Sequence, residues 1–141
     1  MIEQRAYIPQ YGWMVTVFYK SGPDDAERII RRLVEAQADD ETVRTAEDNL
    51  RSGSKDTGLT YSNFGNRETV IVISKTSSKQ EFANTWVHEV LHCAIHIASA
   101  VGLDLKGEPV AYIAGELAME MQPVAAAIMC PKCDRKHRPR F

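Results

Sequence analysis

A chain of 141 residues, 44% apolar and 26% charged, has enough material for one domain with a real core. Its formal net charge of −2 points neither to a polyanion partner nor to an acidic tail. The opening Met1-Ile2-Glu3-Gln4-Arg5 lacks the basic head and apolar stretch of a signal peptide, and no apolar run approaches the ~18 residues of a membrane span, so the expectation is a cytoplasmic protein with no membrane contact.

Residues 13–19 are β-branched and aromatic and predict a strand. Gly22-Pro23-Asp24-Asp25 opens a helix, with proline in the first turn and acids near the positive end of the dipole; Ile29, Ile30, Leu33 and Val34 follow at helical spacing. Asp39-Asp40 starts a second helix that turns Val43, Ala46 and Leu50 inward and ends at Gly53. Residues 59–64 and 69–74 predict two strands joined by a turn through Phe64–Arg67, the second apolar enough to be central. Ser78-Lys79-Gln80-Glu81 matches a capping box, opening a helix that runs to about Ala100 and stops at Gly102. Gly107-Glu108-Pro109 begins another helix, with Val110, Ile113, Leu117 and Met121 as its core stripe; Pro123 is expected to kink or end it. The order predicts an α+β fold in one domain, residues 1–129, followed by a basic tail, residues 130–141.

The chemistry is concentrated in His88-Glu89-Val90-Leu91-His92, an H-E-x-x-H on a predicted helix. At about 100° per residue from Ala83, the side chains of Trp86, Val87, Val90, Leu91, Ala94, Ile97 and Ala98 gather near 20°, while His88, His92 and Glu89 fall at about 140°, 180° and 240°. The expectation is one apolar face for the core and a separate face carrying imidazoles and carboxylate. An ordinary solvated face would carry Lys and Arg, yet residues 82–103 contain neither, and Glu89 is their only acid. Histidines four apart sit ~6 Å along one face, so both rings can reach one Zn2+ at ~2.0–2.1 Å. Glu89 beside them is the expected general base for a metal-activated water.

Two histidines leave a zinc site incomplete. His96 continues the ladder, but it stands ~12 Å along the axis from His88 and is read as a neighbour of the site rather than a ligand. Glu108 is preferred as the third ligand, with Glu116 as its rival. The glycines at 102 and 107 let the next helix fold back, and Gly115 would permit close approach of the two helices.

These residues resemble the zincin metallopeptidases, in the gluzincin arrangement of two helix histidines and a later glutamate. Glu108-Pro109-Val110-Ala111 resembles the E-x-x-A that follows H-E-x-x-H in IrrE/ImmA-like peptidases. The run from Gly58 to Asn63, with Phe82-Ala83-Asn84-Thr85, resembles small metallopeptidases of gut Bacteroidetes and their prophages. The resemblance implies a zincin-like core: a small mixed or antiparallel sheet on the active-site helix and a following antiparallel helix. An edge strand, 59–64 or 69–74, would hold an extended peptide substrate. It also implies an oxyanion-stabilising tyrosine, with Tyr112 or Tyr61 as candidates. The chain has no recognisable helix-turn-helix partner domain of the kind found beside IrrE-like peptidases.

Cys130-Pro131-Lys132-Cys133 with His137 resembles half of a zinc knuckle, as in SprT-like proteases, but the second cysteine pair is missing. Cys93, inside a helical pattern, reads as a buried thiol, though it is also a candidate fourth ligand for the tail. Lys132, Arg135, Lys136, Arg138 and Arg140 offer weak, salt-sensitive contact with nucleic acid or an acidic protein. Two functions stand at the sequence level: a zinc-dependent endopeptidase, and a non-catalytic zinc-stabilised binding module of a phage or other mobile element.

Overall fold

Both faces of the central strands are apolar, and this dictates three layers. In β2 (Trp13–Ser21), Trp13, Val15, Val17 and Tyr19 enter one apolar cluster and Phe18 enters another. In β4 (Glu68–Ser74), Ile71 and Ile73 join the first cluster, Val70 and Val72 the second. Strands apolar on both sides need cover on both. The computed structural model describes residues 1–53 and 58–130. In it β2 and β4 are parallel neighbours at the centre of a mixed four-stranded sheet. β1 (Ile2–Ile8) pairs antiparallel with β2 at one edge, and β3 (Gly58–Asn63) antiparallel with β4 at the other.

Helices α1 (Ala26–Glu35) and α2 (Asp40–Ser52) cover one face, burying Ile29, Leu33, Ala46 and Leu50 on Phe18, Val70 and Val72. Helices α3 (Lys79–Ala100) and α4 (Glu108–Met129) cover the other, with Val90, Ile97, Ile113, Leu117 and Met121 in its core. The ends are set locally. Asp39 accepts the Thr42 amide at the start of α2, and Gly53 closes that helix at φ 67°. Ser78 accepts the Glu81 amide at the start of α3. The Glu81 carboxylate takes the amide and hydroxyl of Ser77, not the Ser78 amide, so the return half of the expected capping box slips by one residue.

The α+β expectation holds, with three differences. β1 was not foreseen: only Ala6 and Ile8 are buried in it, and Glu3, Gln4 and Arg5 hide the alternation at this sheet edge. Pro123 does not end α4, which runs unbroken to Met129; the proline is exposed, where water can serve the carbonyl that loses its N–H partner. Gly115 does not mediate the α3–α4 contact, since a Cβ there would meet nothing within 4 Å. No helix among the described residues is long and apolar enough to cross a membrane.

Gly115 therefore carries the backbone entropy of glycine without a packing gain. Gly115→Ala is expected to stabilise the fold by about 0.5–1 kcal/mol, read as a higher urea midpoint at unchanged slope. A lower midpoint would show that the open space is needed.

Candidate metal centre

Helix α3 divides its polar residues between two surroundings. His88 and His92 point to solvent, their rings edge to face with centroids 4.7 Å apart and their Nε2 atoms 3.0 Å apart. Glu89, rotated ~100° from His88, turns under the sheet edge and is only 6% exposed. The expected single wall of two imidazoles and a carboxylate is thus split: the histidines stand outside, and the glutamate lies between the helix and β3.

β3 explains the split. Side chains alternate along a strand. Leu59 and Tyr61 pack with the α1–α2 layer, where the Tyr61 hydroxyl donates to the Gln37 carbonyl at 3.0 Å. Gly58, Thr60 and Ser62 face α3. A Cβ on Gly58 would lie 2.8 Å from Cδ of Glu89 and 2.9 Å from its Cγ, so a side chain there requires the Glu89 carboxylate to move. Thr60 donates to Glu89 Oε1 at 2.7 Å. Ser62 Oγ lies 2.7 Å from His96 Nδ1 and 2.7 Å from Thr69 Oγ1, which also accepts the Trp13 indole N–H at 2.8 Å. Sequence reasoning assigned no role to Gly58, Thr60, Ser62 or Thr69. The signal available was the small and polar series at every second position of β3.

His96 is half-buried, and its pKa is lowered, first by burial and then by the charge of neighbouring His92. It is tied to the sheet through Ser62, as suits a neighbour of the site. Cys93 is a buried core side chain, and burial pushes its thiol up to about 12; the tail beyond Cys130 lies outside the described residues.

The remaining candidates lie elsewhere. Glu108 is exposed at the first position of α4. Val87 and Leu91 of α3 share an apolar groove with Ala114, Gly115 and Ala118 of α4. Those two apolar residues were expected in the core but are 60% and 47% exposed. Glu116 is half-buried, and Tyr112 is 73% exposed on α4 without a hydrogen bond among the described residues. No group of three His, Cys, Asp or Glu side chains able to hold a metal is assembled among the described residues. The fit to zinc is therefore partial: two convergent imidazole nitrogens suit the ion, and the third ligand is not gathered with them. Cys130 follows α4, while Cys133, His137 and the basic residues of the tail lie outside the described residues. Comparison with known protein families, curated proteins and solved structures gives no match.

Two predictions follow from this geometry. Gly58→Ala forces the Glu89 carboxylate off Thr60 and should cost about 1–2 kcal/mol. In a Glu89→Ala background the cost should fall by at least ~0.5 kcal/mol; equal costs in a denaturant double-mutant cycle would contradict the contact. His96 has a folded pKa below its ordinary 6.5, so the unfolded chain binds its proton first. Its contribution is complete above about 6.5 and is lost as pH falls from there through the folded value. The urea midpoint of metal-free protein should drop between pH 7.5 and 5.5, and drop less in His96→Gln. An equal drop in both would exclude His96 as a source.

Proposed function

We propose that this chain is a zinc-dependent peptidase of the zincin type, acting on an extended peptide or protein substrate in the cytoplasm. The observation that carries the reading is the pair of solvent-facing Nε2 atoms of His88 and His92, 3.0 Å apart, on the helix that also carries Glu89. Glu108 is assigned as the third ligand from the resemblance of Glu108–Ala111 and its accessible carboxylate. When bound, the ion would polarise the scissile carbonyl and acidify a water.

The chain's own residues supply the rest. Glu89 takes the proton of the attacking water and returns it to the leaving amine. Thr60 fixes Glu89 through Oε1. β3 is an edge strand beside α3, and backbone pairing along its open side would align an extended substrate. Tyr112 is retained as the candidate oxyanion donor.

The burial of Glu89 favours one other reading, a zinc-stabilised binding module without turnover, such as an accessory protein of a phage. Competition calorimetry against a chelator should find one zinc per chain at this site. Replacing His88 or His92 by Ala should weaken it by more than about 100-fold, and Glu108→Ala should weaken it as well. Undiminished affinity in both histidine variants would overturn the site. Glu89→Gln should keep zinc while losing at least ~100-fold in cleavage of denatured casein. Equal turnover in both proteins would overturn Glu89 as the base, and zinc binding with no turnover in either would favour the binding module.

A further inference from the structure

A second feature lies at the other end of α3, about 13 Å along the helix from His88. The chain leaves the two central parallel strands in opposite directions. After Ser21 it crosses to α1 on one face, and after Ser74 to α3 on the other. Connections that part in this way open a crevice at the carboxyl ends of parallel strands, where such sheets hold small ligands. Here the crevice is a cavity of about 860 Å³, within the ~300–1,000 Å³ range of small-molecule sites.

Its lining has a consistent chemistry. Met1 is an exposed apolar wall, Phe82 and Ile128 are the buried apolar floor at 2% and 6% exposed, and Lys20, Lys75 and Lys79 are cationic. Although the chain as a whole is net negative, no Asp or Glu among the described residues lines the cavity. Lys79 is held against one wall by donating to the Ile128 carbonyl at 2.7 Å. Lys75 lies over Gly22, with Nζ 3.9 Å from where a Cβ would stand. Among the described residues neither Lys20 nor Lys75 forms an ion pair. Lys20 has φ 58°, a region L side chains disfavour, where the pairing of β2 with β4 slips between Phe18 and Ser21. The first turn of α3 is already capped by Ser78 and by Glu81 on Ser77, so the attraction on offer is that of the lysines.

We propose that this cavity binds a small amphipathic organic anion, with its apolar body between Met1 and the floor of Phe82 and Ile128 and its negative group on Lys20 and Lys75. Inorganic phosphate would satisfy the lysines but leave the apolar walls uncovered. The site is independent of the peptidase reading and shares no residue with it.

The test is a titration of the full chain, labelled with nitrogen-15, with 1-naphthyl phosphate. Saturable shifts are expected at residues 20–22 and 74–82, at ligand concentrations below ~1 mM. The Lys20→Gln/Lys75→Gln double variant should bind at least roughly tenfold more weakly, and inorganic phosphate should bind wild type more weakly by a similar factor. Both lysines are exposed, so the variant should keep the unliganded spectrum away from these positions. No saturable shift by ~1 mM, shifts confined to residues 132–140 or to the surroundings of His88 and His92, or unchanged affinity in the double variant would each overturn the proposal.

Discussion

The close approach of β3 to α3 is the constraint on which the rest of the site depends. No Cβ stands between Gly58 and the Glu89 carboxylate, and Thr60 and Ser62 reach across the same gap to Glu89 and His96. The strand buries one sector of the helix and leaves the sector beside it, roughly 60–100° away, to solvent; that sector holds His88 and His92. The polar residues of α3 are thus sorted by the strand beside them. A carboxylate out of water needs a donor, and Thr60 provides one. The imidazoles need none from the protein, because they face water or a ligand.

This sorting shapes the chemistry open to the molecule. In the proposed peptidase, the proton-handling group is held by the same strand that would align the substrate, so entry of a peptide along β3 and the orientation of Glu89 are mechanically linked. The chain from Trp13 through Thr69 and Ser62 to His96 ties that strand to the centre of the sheet. Side-chain hydrogen-bond networks of this kind favour one arrangement over its neighbours. The edge strand is accordingly better fixed than its position alone would suggest.

Much of the fold was legible in the sequence because local signals and burial agreed. β4 reads as central and is central; α2 opens at Asp39 and closes at Gly53, as the capping residues imply. β1 was not legible, since an edge strand with Glu3, Gln4 and Arg5 in its middle has little alternation to detect. At the site, the helical projection found the histidine pair but treated Glu89 as its companion. A single-helix wheel gives angles and says nothing of which neighbour occupies each sector. For the same reason Val87 and Leu91 were drawn into the core: an apolar residue can border a groove as readily as fill a centre. The third ligand was least legible, because it depends on the register of two long helices, which no local pattern encodes. The glycines at 102 and 107 let α4 fold back but do not fix how far α3 continues past His92.

Two places along α3 offer different chemistry: lysines around a cavity at its start, imidazoles and a buried carboxylate around its middle. The central claim concerns the imidazoles. The most direct measurement is anomalous diffraction at the zinc edge from crystals of the full chain grown with zinc. The account predicts a peak within ~2.0–2.1 Å of both His88 Nε2 and His92 Nε2. Zinc found only at other residues, or no anomalous peak between these two rings, would contradict it.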